Sequence, residues 1–247
     1  MASTNNALNN QSTTNIASTT QTFTVSNSDN TGTSAAQVRV SVGGGTTSGD
    51  PQTSFIVNGV NTWSVGVDNS ASDVFSIANN SNLGTNAFQL ITTSGAVRWN
   101  GQPAFLAYLN SADTNVTGTG TVFQVGSVTA MTEVFDRTGE FNTNGTFTSS
   151  VDGQYFFAAN IQLEGCTINS GIEIQIITLN RTYSTRFNRA AAATNIGISL
   201  ATLADMDNGD TAQFAVVGYG EAGDTDDVSA SAGGSPLVNF FCGYLMG

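Results

Sequence analysis

Phe147-Thr-Ser-Ser-Val-Asp-Gly153-Gln-Tyr155-Phe-Phe157 decides the fold. An aromatic residue, a polar turn and a glycine lead into a run in which Tyr155, Phe157, Ala159, Ile161 and Leu163 share one face. Phe156, Ala158, Asn160, Gln162 and Glu164 share the other, as the two-residue repeat of a strand requires. The first face predicts a sandwich core. The second turns polar along its length yet begins with Phe156, which a solvent-facing strand has no reason to keep. The chain closes on Phe241-Cys-Gly243-Tyr-Leu245, which is apolar on both faces. Phe241, Gly243 and Leu245 lie on one side, and Phe240, Cys242, Tyr244 and Met246 on the other. A sandwich strand needs only one buried face, so the second must meet something else.

Further strands are expected on either side of the opening stretch. Ile172-Glu-Ile-Gln-Ile-Ile177 alternates in the same way, and Ile198-Ser-Leu200 and Phe214-Ala-Val-Val217 flank the turn Asp207-Asn-Gly209-Asp210. Towards the N-terminus, Phe55-Ile-Val57, Trp63-Ser-Val65-Gly-Val67, Val74-Phe-Ser-Ile77 and Phe88-Gln-Leu-Ile91 read as short strands separated by Asn- and Gly-rich turns. Val38, Val40 and Val42 alternate with polar residues and predict another strand, as do Phe23 and Val25. Residues 1–22 are Asn, Ser and Thr with few large apolar groups and cannot build a core. The expected division is therefore an attachment arm at 1–22, a β-rich stalk at 23–98 and a head at 103–247, with a boundary near Arg98-Trp-Asn-Gly101-Gln-Pro103.

Composition narrows the chemistry. The 247-residue chain has 18 acidic residues, six basic residues that are all arginine, no histidine and a net charge of −12. Nucleic-acid binding needs clustered basic residues, and the one local cluster, Arg181, Arg186 and Arg189, is expected to pair with nearby carboxylates. The lack of histidine removes the commonest general base and zinc ligand, which argues against an enzyme. Two cysteines, Cys166 and Cys242, are too few for a disulfide framework and are expected as buried or half-buried thiols. No run approaches the roughly 20 apolar residues needed to cross a bilayer as a helix, so membrane insertion is not expected. Met1-Ala-Ser-Thr-Asn-Asn has neither a basic start nor an apolar core, so no secretory signal is expected.

The opening and closing stretches together resemble the globular head of complement C1q and its tumour necrosis factor relatives. In that family Gly-x-Tyr-x-Phe starts a central strand and Phe-x-Gly-aromatic-Leu forms the last. Pro103-Ala-Phe105-Leu-Ala-Tyr108-Leu109 resembles the family's first strand, and Phe141-Asn142 and Gly145-Thr-Phe147 take the place of its aromatic-Asn and Gly-x-Phe segments. The chain departs from the pattern in being one residue short between those two segments and in placing Ala159 where an aromatic is common. The resemblance covers residues 103–247 and implies an all-β jelly roll that works as a homotrimer and binds without catalysing. It further implies Phe156, Phe241 and Leu245 as the trimer seam, and Phe147, Tyr155, Phe157, Ile161 and Tyr244 as sandwich core. No cofactor is expected beyond a possible Ca2+ in the acidic loop at Asp224, Asp226 and Asp227, since hard oxygen ligands suit that ion.

The string from Phe55 to Gly95 resembles modules of phage and bacterial surface fibres, where it sits upstream of a tip domain. The resulting expectation is a virion structural protein, assembled in the host cytoplasm: a trimeric bacteriophage fibre, spike or head-decoration protein. Its arm would hold other virion proteins of the capsid, tail or fibre, and its head a host-surface glycan or protein. The alternatives are a bacterial cell-surface adhesin fibre of the same architecture and a capsid cement without a receptor.

Overall fold

The computed structural model describes residues 37–43, 45, 49–84, 87–166, 171–188, 195–234 and 236–246. The expected arm and the strand at Phe23 and Val25 lie outside them. By its contacts the chain divides into residues 1–41 and 42–247. The strand expected at Val38, Val40 and Val42 does not form: residues 37–43 have no strand partner among the described residues, and all three valines are exposed. Alternation supplies propensity, but a strand also needs a ladder and a face to pack on.

Within 42–247, β1 (Gln52–Val57), β2 (Asn61–Asp68), β3 (Val74–Ala78), β4 (Ala87–Ile91) and β5 (Val97–Trp99) form a five-stranded antiparallel meander in chain order. Short Asn- and Gly-bearing turns join consecutive strands, so each pairs with the next.

The remaining strands are β6 (Ala104–Tyr108), β7 (Asp113–Thr117), β8 (Val122–Gln124), β9 (Thr132–Asp136), β10 (Phe141–Asn142), β11 (Thr146–Thr148), β12 (Gly153–Glu164), β13 (Gly171–Thr178), β14 (Thr182–Asn188), β15 (Asn195–Met206), β16 (Thr211–Tyr219), β17 (Asp226–Val228) and β18 (Phe240–Leu245). They form two antiparallel sheets. One runs β9-β6-β18-β12-β15, with β17 and β7 extending it past the end of β18, and the other runs β10-β11-β16-β13-β14, with β8 beside β16. Eight strands, β6, β11, β12, β13, β14, β15, β16 and β18, define the pattern. The first, eighth, third and sixth share one sheet, and the second, seventh, fourth and fifth share the other. That interleaving, with the first and last strands adjacent and central, is a jelly roll. The Gly153 motif opens β12 in the middle of its sheet, and Phe241–Leu245 forms the last strand, as the resemblance implied.

Aromatic rings fill the space between the sheets. Phe105 stacks on Phe141 at 4.6 Å and Phe147 at 5.2 Å, while Phe241 meets Phe105 at 5.0 Å, Phe214 at 5.3 Å and Phe157 at 5.7 Å. Phe147, Tyr155, Phe157 and Ile161 are all buried there. Burial also raises the pKa of the Tyr155 phenol, with the Glu140 charge adding to the rise, and its hydroxyl donates to the carbonyl of Val151 at 3.0 Å.

The turn Asp207–Asp210 is structural. Gly209 holds φ at +94°, a conformation that favours glycine. The Asp210 carboxylate accepts from the Asp207 amide at 3.1 Å and from Asn180 Nδ2 at 2.8 Å, tying the turn to the end of β13.

Candidate functional site

The β12–β18 register settles which residues face outward. Tyr155 stands opposite Leu245, Phe156 opposite Tyr244, Phe157 opposite Gly243, Ala158 opposite Cys242 and Ala159 opposite Phe241. Directly opposed residues share a face. Phe241 and Leu245 therefore lie with Tyr155 and Phe157 on the core side, and Tyr244 lies with Phe156 on the outer side.

Two sequence expectations are corrected by this register. Phe241, expected at the seam, is fully buried among core rings, and Leu245 packs against the same core. Tyr244, expected in the core, is 45% exposed. Sequence parity separates the two faces of the last strand but not which of them is inner; that follows from pairing with β12. Of the expected seam residues, Phe156 alone faces outward. It is half-buried, with its ring 5.4 Å from that of Tyr244.

Three rows of paired residues cross this outer face. Leu106 on β6, Cys242, Ala158 and Ala201 on β15 form one row, and Ala104, Tyr244, Phe156 and Leu203 the next. Tyr108, Phe240, Asn160 and Ser199 form the third. No charged residue occupies any of these positions in a chain of net charge −12. Phe135, opposite Leu106 on β9, is 46% exposed, and Leu203 is 53% exposed. At the polar end, Asn160 donates to the Val238 carbonyl and accepts from Ser199 Oγ, each at 2.5 Å. Burial pushes the Cys242 thiol above its ordinary pKa, so it stays protonated and poorly nucleophilic at neutral pH. Both cysteines are free thiols, and Cys166 is buried.

The acidic loop does not gather its carboxylates. Asp224 accepts from the Thr119 side chain at 2.7 Å and amide at 3.0 Å and from Thr121 at 2.8 Å, which together hold its pKa below the usual carboxylate range. Asp227 accepts from the Asn115 amide at 2.7 Å, whereas Asp226 points inward and is fully buried. Neighbouring residues of a strand project to opposite faces, so Asp226 and Asp227 cannot share an ion as expected. Among the described residues no three His, Cys, Asp or Glu side chains are placed to hold a metal.

Of the arginine cluster, Arg186 lies 3.9 Å from the centre of the Tyr219 ring. Tyr219 in turn donates to Glu173 at 2.9 Å. Burial alone would raise the Glu173 pKa, but hydrogen bonds from Gln175, Tyr219 and Ser184 and the Arg186 charge outweigh it and lower the pKa. Arg189 lies outside the described residues. Arg181 lines a cleft of about 240 Å3 with Gln154, Tyr183, Leu203 and Asp205. A larger hollow of about 670 Å3, wide open to solvent, lies at the other side of the head between Glu133, Glu140, Asn142, Ser149 and Asn208.

No family model matches the chain, and no curated protein matches it. Among solved structures it is similar to the globular domain of zebrafish complement 1qA protein, at 17% identity over 59% of this chain and 98% of that one, with a TM-score of 0.41. It is also similar to murine APRIL at pH 8.5, at 12% identity over 59% of this chain and 99% of that one, with a TM-score of 0.39.

Proposed function

We propose that the chain is a non-enzymatic virion structural subunit: a homotrimeric bacteriophage fibre, spike or head-decoration protein whose jelly-roll head binds a host-surface glycan or protein. The observation that carries this reading is the uncharged, apolar outer face built around Phe156, Cys242 and Tyr244. An acidic chain leaves such a face free of charge where copies of itself must meet, because like charges brought together there would oppose assembly. Burying a Phe or Leu side chain contributes roughly 1.5–3 kcal/mol, and each copy supplies several. Trimerisation would then present three sets of loops on a rigid scaffold, so that weak contacts add by avidity.

Light scattering on the purified chain tests the assembly: a mass near three times 25.5 kDa is expected. The double variant Phe156→Glu, Tyr244→Glu should stay folded and lose mass on dilution at concentrations where the wild type holds it. A wild-type monomer would sink the reading. Recognition is tested separately on particles lacking residues 103–247. Unimpaired adsorption with reduced particle stability would make the protein a cement instead.

A further inference from the structure

The five-stranded meander is sided the wrong way for a single chain. Ser64, Ser76 and Ala78, with Gly66 and Asp68, occupy its buried face, each of the four with a side chain at most 2% exposed. Most of its large apolar residues point the other way, Ile56 and Val74 being exceptions. Val67, Phe75, Ile91 and Val97 stand opposite one another in a row across four strands. Phe75 is 40% and Val97 50% exposed, and beyond them Phe55, 62% exposed, faces Trp63 at 43%. Trp99, 46% exposed, continues the same face on β5 opposite Gln89. A folded chain gains by burying such groups and loses nothing by exposing serine. A sheet that does the reverse is built to be covered by a partner.

We infer that the partner is the other copies of the same chain, this side of the meander turning towards the trimer axis as a second association surface distinct from the head's. The inference rests on reading the protein as a self-assembling subunit and adds where the N-terminal half takes part. Every paired position on this face is uncharged, from Thr53 and Phe55 on β1 to Val97 and Trp99 on β5. A charged partner would find no complement there, while an identical face meets its like without repulsion. Sheets pack well through such apolar sides, and a ring of copies closes when the same side of each turns towards a common axis. The area also suits. Four aromatic rings of roughly 150–250 Å2 each, still 40–62% exposed, offer about 400 Å2, and the aliphatic row adds to this towards the about 800 Å2 that one partner contributes to a stable interface.

The chain carries its own reporter, because its two tryptophans, Trp63 and Trp99, both lie on this face. Acrylamide quenching of tryptophan emission in the full chain is measured alongside mass by light scattering. The expected result is a multimer whose tryptophans quench severalfold less than in the denatured chain. Val97→Glu, on the edge strand, should restore quenching while the head still holds the mass near that of wild type. Phe75→Glu should do the same, and far-UV circular dichroism checks that both variants fold. A multimer with freely quenched tryptophans would overturn the inference and leave the head's association intact. Equal shielding at dilutions where the mass is that of one chain would also overturn it, since the cover would then come from the same chain. A chain that is monomeric at every concentration would overturn both readings.

Discussion

Gly243 is the residue on which the head's aromatic core is most finely set, and Gly243→Ala probes it with a single methyl group. A β-carbon at this position would stand 2.5 and 2.7 Å from two atoms of the Phe157 ring and 2.9 Å from the Phe105 ring. Carbon atoms attract best at about 3.5–4.0 Å, so each ring would have to retreat by roughly 1 Å. Neither has room to do so. Phe157 is backed by Tyr155 at 6.0 Å and Phe241 at 5.7 Å, and Phe105 is backed by Phe141 at 4.6 Å. Overpacking a full core costs about 1–3 kcal/mol, and a site hemmed in by stacked rings belongs at the upper end. For a domain of this size that loss lowers the melting temperature by roughly 6–12 °C. The assay is thermal denaturation followed by near-UV circular dichroism at fixed protein concentration, because assembly makes the midpoint concentration-dependent. Gly197→Ala is the internal control. Its β-carbon meets only the Ile161 carbonyl at 3.7 Å, an ordinary contact, so its effect should stay within about 1 kcal/mol and favour the variant. An unchanged midpoint in Gly243→Ala, or a larger loss in Gly197→Ala, would refute the account of why this strand carries glycine.

Phe241→Ala should destabilise the fold of each chain by about 3–5 kcal/mol, the cost of a large aromatic cavity. Its signature is a lower unfolding midpoint in urea with mass retained under native conditions; a stable folded monomer would return Phe241 to an interface role. Glu173→Gln should matter at neutral pH and not in acid. The folded-state pKa of Glu173 lies below its ordinary value, so its carboxylate stabilises the fold above the unfolded pKa and ceases to as pH falls through the folded one. The difference in melting temperature between wild type and Glu173→Gln should therefore shrink towards zero as pH drops below the carboxylate range. A constant difference in melts across that range would count against the Glu173, Tyr219 and Arg186 arrangement.

Elements whose signal is local were legible in the order of residues alone. Period-two alternation marks β12 and β13 because each has one face against the same core, and the glycine and asparagine turns mark the meander because turn conformations favour those residues. Charge and residue content weighed against polyanion binding and histidine chemistry without any structure. The last strand shows where local signal stops. Both of its faces are apolar, so its pattern revealed that two surfaces needed cover, but only pairing of Tyr155 with Leu245 and Phe156 with Tyr244 decided which was inside. Val38, Val40 and Val42 had the pattern of a strand and lacked a ladder to join. Asp226 and Asp227, adjacent in sequence, were separated by the sides of the strand that carries them. The sidedness of the meander was likewise undecided by sequence, since serine and valine alternate there in a way that would suit burial of either face. Alternation is a property of consecutive residues, whereas inside and outside are properties of what lies across the sheet, and only the tertiary structure supplies that.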